Sequence, residues 1–184
     1  MANKVKFNIY DVYYATRTES GGTVTYGTPT ALKGAVSISL EAQGDRKPFY
    51  ADGIEYYVTQ GNTGYEGNLV VAMIPDAFRQ TILGEVIDTN NNLFEDATAE
   101  PVHFALSFTV DGNEGAIKFW FYDCVASRPS TSAETNTESR DPQTDTVSIT
   151  AIPCSVTGYV RCKSTATTSE ADLAAWNNAV VEHA

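Results

Sequence analysis

The two histidines of the chain, His103 and His183, are the side chains best suited to act as a general base near neutral pH. His183 stands near the end of the sequence, which leaves His103 as the candidate base for a nucleophilic reaction. His103 falls on the polar side of a predicted strand, where a surface or interface histidine is the simpler interpretation. The sequence contains no G-x-S-x-G elbow, phosphate-binding loop or dinucleotide-binding fingerprint. We therefore predict no catalytic residue and no enzymatic activity.

Metal and cofactor sites are also not predicted. The three cysteines, Cys124, Cys154 and Cys162, form no C-x-x-C pair, and the histidines form no H-x-x-x-H pair. An odd number of cysteines in a chain long enough to bury its own core favours reduced thiols. A disulfide between Cys154 and Cys162 is the alternative.

One segment imitates the start of a calcium-binding loop. Asp88, Asn90 and Asn92 occupy the spacing of its first three ligands. Leu93 stands where that loop requires glycine, and Ala99 stands where it requires a bidentate glutamate. An ordinary polar turn is therefore the favoured interpretation.

Aromatic residues are concentrated in the segment 43–61, which is too apolar for a plain loop and is predicted to be a projecting hairpin. It carries Phe49, Tyr50, Tyr56 and Tyr57. Exposed aromatic side chains of this kind are typical of a subunit interface. They also suit a platform for a sugar or another small ligand, so a carbohydrate- or small-ligand-binding β-sandwich module remains the alternative function.

The elements that hold these residues are mainly strands, because apolar and polar residues alternate over most of the chain. Val5, Phe7 and Ile9 alternate in this way at the start of the sequence, and Val36, Ile38 and Leu40 are predicted to share one face. Strands are predicted over residues 4–16, 23–27, 35–41, 63–73, 102–110, 117–124 and 146–152, and residues 158–163 are predicted to pair with the last of these.

A short helix is predicted after Pro75, where the apolar period changes from two to about 3.6. Proline suits the first turn, and Asp76 favours the positive end of the helix dipole. Phe78 and Ile82 share one face, and Gly84 is placed to end the helix.

The chain is predicted to form one β-sandwich domain over residues 1–164 and a helical tail over residues 165–184. The tail begins with the capping sequence of Ser169 and continues with an apolar stripe through Leu173, Trp176 and Val180. Residues 127–145 are rich in Ser, Thr, Glu and Pro, so we expect a mobile loop there.

The strand that begins at Ile117 is apolar on both faces. Ile117, Phe119 and Phe121 face one way, and Trp120 and Tyr122 face the other. A sheet with water on one side carries polar residues there, so a helix, an arm or another subunit must cover the second face. We therefore add Trp120 and Tyr122 to the predicted subunit-interface residues.

Charge argues against binding to nucleic acid. The chain has 23 acidic and 12 basic residues, with a formal net charge of -11, whereas phosphate contacts need clustered Lys and Arg. Eleven acids against one base, Arg79, lie between Pro48 and Ile117, an asymmetry that favours head-to-tail association. The sequence contains neither a membrane-spanning apolar run nor the apolar core of a signal peptide, so we expect the protein to stay in the compartment where it is made.

A series of short motifs resembles the major tail protein family of long-tailed, non-contractile bacteriophages, particularly those of Gram-positive hosts. Each motif is short, but their order and spacing agree over roughly residues 4–160. The motifs are NIYDVYYA (8–15), TYGTP (25–29), LKGAVSI (32–38), FYADG (49–53), GYEGNL (64–69), IPDAF (74–78), ILG (82–84), FALSF (104–108), SRP (127–129) and TDTVSITAIP (144–153).

The resemblance implies an antiparallel, tail-tube-like β-sandwich with a flanking helix, whose subunits form hexameric rings stacked around a channel for DNA. It implies no catalytic residue. The segment 43–61 matches a loop expected to reach a neighbouring subunit or ring, and residues 127–145 match a second long loop. The implied partners are further copies of the chain, a tape measure protein, a tail terminator and distal tail or baseplate proteins. The implied location is the virion tail, after synthesis in the host bacterial cytoplasm, with DNA passing through unbound.

Overall fold

The computed structural model describes residues 3–135 and 142–183, and it is mainly β, as predicted. Its strands are β1 Lys6–Ser20, β2 Thr23–Tyr26, β3 Thr30–Ala31, β4 Ala35–Gln43, β5 Arg46–Ala51, β6 Ile54–Gln60, β7 Gly64–Val71, β8 Val86–Ile87, β9 Leu93–Phe94, β10 Phe104–Gly112, β11 Ile117–Ala126, β12 Asp145–Ala151 and β13 Arg161–Lys163. The helices are α1 Asp76–Ile82 and α2 Glu170–Ala175.

Nine strands form one antiparallel sheet in the order β2-β1-β10-β11-β12-β7-β4, with β3 added on β1 and β13 added on β11. The sheet folds over on itself, so that β1 and β4, although far apart in this order, approach each other. The main core fills the space between the two halves and includes Phe108 stacked on Phe119 with ring centroids 4.9 Å apart. This arrangement is consistent with the predicted β-sandwich.

The sheet divides at β11, because two strands share one of its edges. Cys124 to Ala126 pair with β12, whereas Phe119 to Phe121 pair with β13. The prediction that residues 158–163 pair with β12 is therefore wrong. β12 pairs along its full length with β7 and leaves β11 early, so the free part of the β11 edge is filled by β13.

Helix α1 forms where it was predicted. It follows Pro75, ends with Gly84 at a φ of 74°, and buries Phe78 and Ile82. The Phe78 ring meets Tyr14 edge to face, with centroids 5.0 Å apart, and so closes one end of the core.

The first strand begins and ends later than predicted. It runs over Lys6–Ser20, and Asp11, with a φ of 51°, lies at a bulge that shifts the register against β10. The bulge changes which side chains of the strand face the core. Val12 is therefore buried, whereas Val5 and Phe7 are exposed.

A second bulge lies at Val36. Ala35 pairs with Val71 and Ser37 pairs with Val70, so Val36 is the extra residue. Its side chain is exposed, whereas Ile38 packs on the core. The bulge therefore leaves Val36 outside the core, although Val36 lines the same surface as Ile38 and Leu40.

The chain after β13 lies on the outer face of β10 and β11. It contains a C-terminal helix, α2, as predicted, but this helix ends at Ala175, so Trp176 and Val180 of the predicted apolar stripe follow it. The Ser169 hydroxyl accepts a hydrogen bond from the backbone N–H of Asp172. No helix among the described residues is long and apolar enough to cross a membrane. The centre of the loop predicted over residues 127–145, residues 136–141, lies outside the described residues.

Candidate assembly surfaces

The predicted hairpin 43–61 continues the ribbon formed by β4 and β7 beyond the body of the sheet. The backbone N–H of Thr63 donates to the carbonyl of Gln43 over 3.1 Å, and that of Gly61 donates to the carbonyl of Asp45 over 3.0 Å. These bonds carry the ladder from the sheet into β5 and β6. The hairpin therefore extends outward from the subunit, in line with the two strands that support it.

The tip of the hairpin is a tight turn at Asp52 and Gly53. Both residues have a positive φ, 52° and 77°, as the favoured Asp-Gly hairpin turn requires. Arg46 forms an ion pair with Glu55 across the two strands. The carboxylate of Asp52 stands apart from this pair, at the turn itself.

Four aromatic side chains of the hairpin are directed to solvent. The exposed fractions are 60% for Phe49, 63% for Tyr50, 70% for Tyr56 and 65% for Tyr57. The strands β5 and β6 form a separate two-stranded sheet and contain no fully buried residue. Exposed apolar area of this size on a two-stranded ribbon is typical of a surface that a partner covers.

Trp120 and Tyr122 are not available for a subunit interface, because the chain's own C-terminal segment covers them. Trp120 is fully buried, and its indole N–H donates to the carbonyl of Trp176 over 3.1 Å. The Tyr122 hydroxyl donates to the carbonyl of Val181 over 2.8 Å. The predicted cover over the second face of β11 is thus present, and it belongs to the same subunit. The apolar stripe through Leu173 and Trp176 was the sequence signal that could have identified the C-terminal segment as this cover.

A groove that sequence reasoning missed lies between the start of β1 and β4. Residues 6–9 and 36–40 form its two sides, and it encloses about 430 Å³. Its floor consists of core aromatic rings that include Phe108 and Phe121. The β4 strand pairs only with β7, so one of its edges is unpaired among the described residues. The groove is therefore an open seam in the folded sheet.

Within residues 3–135 and 142–183, the charged residues that line this groove are Lys6 and Arg161, and no acidic side chain lines it. The Arg161 guanidinium lies over the rings of Tyr65 and Phe119, 5.2 and 5.9 Å from their centroids. Both contacts are cation–π interactions that hold this cation at the groove. The seam is thus positively charged in a chain of strongly negative net charge.

His103, the candidate base, belongs to an ion-pair cluster. Its Nδ1 lies 2.5 Å from Oδ1 of the buried Asp123, whose other oxygen lies 3.4 Å from Nε of the buried Arg17. Arg17 also contacts Glu19 and the Ser155 hydroxyl, both at 2.8 Å. Hydrogen bonds from Ser155 and Arg17 lower the pKa of Glu19. The Ser155 hydroxyl is held by the Glu19 carboxylate and the Arg17 guanidinium. These residues therefore form a structural polar cluster.

The cysteines are free thiols, as predicted, with Cys124 and Cys154 buried and Cys162 half-buried. Burial raises the pKa of the Cys124 thiol. At Cys154, burial raises the pKa and hydrogen bonds lower it, the largest of these being with the Thr157 side chain. The net effect is a lowered pKa of the Cys154 thiol.

The segment that imitates a calcium loop is a polar turn in this structure. The Asp88 carboxylate accepts hydrogen bonds from the backbone N–H groups of Asn90 and Asn92, over 2.9 and 2.7 Å. These bonds lower the pKa of Asp88, the largest contribution being that of the Asn92 backbone.

A family model described as "Phage tail tube protein" matches residues 7–179 of the chain. The matched range includes the folded sheet, the projecting hairpin and helix α2. A search of curated proteins found no match.

Proposed function

Because this chain belongs to the phage tail tube protein family, we propose that its subunits form hexameric rings that stack into the tube of a phage tail, the conduit for DNA ejection. The observation that carries the proposal is the family match over nearly the whole chain. It agrees with the resemblance of the sequence motifs to major tail proteins of phages that infect Gram-positive hosts. In this role the protein acts as a structural component of the virion and not as an enzyme.

The projecting hairpin is the proposed arm that joins subunits. Tyrosine and phenylalanine are enriched at protein interfaces, where they bury large areas at a low cost in side-chain entropy. Phe49, Tyr50, Tyr56 and Tyr57 are exposed in the isolated subunit and would become covered in the tube. They are therefore the residues that we assign to the subunit interface.

The open edge of β4 is a second feature that suits assembly. A long unpaired strand is a template for pairing with another chain, and closed assemblies remove such edges. Contacts between unlike surfaces produce rings where the rotation closes and stacks where it does not. A tube built of stacked rings needs both kinds of contact, and a free edge together with a projecting arm can supply them.

The partners follow from the proposed position in the tail. Copies of the same chain form the tube, a tape measure protein occupies it during assembly, and a tail terminator and distal tail or baseplate proteins join its ends. The net charge of -11 favours a surface that does not bind DNA, because like charges repel phosphate at short range. DNA would then pass without specific contacts.

Sedimentation velocity and negative-stain electron microscopy of the purified full chain, over a range of concentrations and salt, test this proposal. We expect rings or hollow tubes that grow with protein concentration. A chain that stays a monomer under all conditions that assemble phage tails would contradict the proposal. If that monomer also bound glycans on an array, the ligand-binding alternative would replace it.

A further inference from the structure

We propose that the groove between β1 and β4 receives the hairpin tip of a second copy of this chain. The proposal rests on the proposed function, because it names the partner surface of the exposed hairpin. Its elements are the tip, residues 50–56, and the groove formed by residues 6–9 and 36–40.

The groove is a site that lacks a strand. Its two sides are the start of β1 and the free edge of β4, which approach each other without pairing. Ile38 and Leu40 are only partly buried there, and Val36 is 53% exposed. β5 and β6 form a two-stranded sheet, so each has one edge unpaired among the described residues. One of these hairpin strands, laid along the seam near the tip, can pair with the β4 edge and cover these side chains, which is the addition of a β-strand to an open sheet.

A subunit cannot fill its own groove with its own hairpin. Ile38, at the groove, and Asp52, at the tip, lie on the same ribbon and are separated by 14 residues. At about 3.3 Å per residue, less some shortening by strand twist, the tip lies roughly 40 Å from the groove. The ladder between the paired strands keeps the ribbon extended, so the tip can reach only the groove of another copy.

The charges of the groove and of the hairpin tip are complementary. The charged side chains that the described part of the chain places at the groove are the cations Lys6 and Arg161. At the tip, Glu55 is paired with Arg46 within the hairpin, which leaves the Asp52 carboxylate to meet the basic groove. Because the chain as a whole is acidic, a basic groove opposite an acidic tip favours association of these two surfaces.

The apolar side chains of the tip match the floor of the groove. Tyr50, Ile54 and Tyr56 are more than 60% exposed in the subunit, and the floor carries the rings of Phe108 and Phe121. Aromatic rings gain from edge and offset contacts with each other, and each tyrosine hydroxyl can stay at the wet rim of the groove. Docking therefore buries apolar surface on both partners.

The contact is heterologous, because tip and groove are different surfaces of the same subunit. Where the rotation between copies does not close a ring, repetition of such a contact adds copies in one direction and builds a stack. In such a stack, the distance between successive copies cannot exceed the distance from the groove to the hairpin tip. The axial repeat of the tube should therefore be about 40 Å or less.

Cysteine cross-linking in assembled protein tests the contact. We would combine Asp52→Cys with Val36→Cys, since both residues are exposed in the subunit. The matched control combines Asp52→Cys with Glu114→Cys, an exposed residue in the β10–β11 turn. Under mild oxidation we expect a ladder of multimers, absent from either single variant and from the control pair. Tubes without this ladder, or an equal ladder in the control pair, would overturn the docking site and leave the tube itself standing.

Charge reversal gives an independent test that does not need new thiols. Lys6→Glu and Asp52→Lys should each raise the critical concentration for assembly by at least about tenfold, and the double variant should recover most of the loss. Lys33→Glu, the same charge change outside the groove, should have little effect. Absence of recovery in the double variant, with all variants folded by circular dichroism, would contradict the proposal. If the wild-type chain forms no assemblies at all, the proposed function itself fails.

Discussion

The indole N–H of Trp120 donates a hydrogen bond to the carbonyl of Trp176 over 3.1 Å, and both residues are almost completely buried. This bond joins the centre of β11 to the chain that follows α2. Together with the bond from Tyr122 to the carbonyl of Val181, it makes the C-terminal segment a layer of the folded subunit.

Trp176→Ala should destabilise the subunit strongly. The side chain is 3% exposed and packs in the cluster that contains Trp120, so its removal leaves a large cavity. We expect the free energy of unfolding to fall by about 3–5 kcal/mol. Urea denaturation followed by tryptophan fluorescence and circular dichroism measures this change. Tyr56→Ala, which removes an exposed ring, is the control and should change it by less than about 0.5 kcal/mol. A loss in Trp176→Ala as small as that in Tyr56→Ala would show that the C-terminal segment does not stabilise the fold.

Serine at Phe49, Tyr50 and Tyr57 together should abolish assembly and leave the subunit folded. These rings are exposed, so the folded subunit loses little buried apolar area when they are removed. We expect a denaturation midpoint close to that of the wild type and no sedimentable assemblies.

The matched control replaces exposed apolar residues outside the hairpin, namely Met73, Val86 and Phe94, with serine. This variant should still assemble. Loss of the cooperative unfolding transition in the hairpin variant would instead place its rings in the core, and equal loss of assembly in both variants would remove the specific role of the hairpin.

Asp123→Asn should cost more stability than its size suggests, because it leaves the buried guanidinium of Arg17 without its buried partner. Removal of one member of a buried ion pair typically costs about 3–5 kcal/mol. The remaining contact between Arg17 and Glu19 should keep the loss toward the lower end. Arg17→Met combined with Asp123→Leu should be less destabilising than Asp123→Asn alone. The measurement is urea denaturation at pH 7, and a single variant as stable as the wild type would show that the pair is dispensable.

Stability should fall in acid partly through Glu19, whose pKa is lowered by hydrogen bonds from Ser155 and Arg17. A carboxylate with a lowered folded-state pKa stabilises the protein above its unfolded-state pKa, and this contribution disappears as the pH falls through the folded-state pKa. Ser155→Ala removes the strongest of these hydrogen bonds. We expect the wild type to lose more unfolding free energy than Ser155→Ala between pH 5 and 3, in urea titrations at both pH values. Equal losses would contradict the assigned cause.

Local patterns predicted the elements whose structure is decided by nearby residues. The hairpin of β10 and β11 and helix α1 are of this kind, because alternation, turn residues and the change of period at Pro75 lie within each element. The bulges at Asp11 and Val36 could not be predicted, since they depend on the register against β10 and β7. One misplaced residue in a strand reverses the faces of its neighbours.

Of the candidate surfaces, only those decided by nearby residues were predicted. The segment 43–61 is apolar and is bounded by turn residues. These two local features predicted a projecting hairpin with exposed aromatic rings. The burial of Trp120 and the groove between β1 and β4 arise from contacts between residues far apart in sequence. Alternation showed that the second face of β11 needed a cover but could not tell a neighbouring subunit from the chain's own C-terminal segment.

The central claim is that this subunit builds a tube in which the hairpin joins neighbouring copies. A cryo-electron microscopy reconstruction of tubes assembled from the full chain tests it most directly. We predict rings of six subunits, an axial repeat of about 40 Å or less, and Phe49, Tyr50, Tyr56 and Tyr57 covered by a neighbouring subunit. A reconstruction with these four side chains facing solvent, or with rings of another number of subunits, would contradict the account.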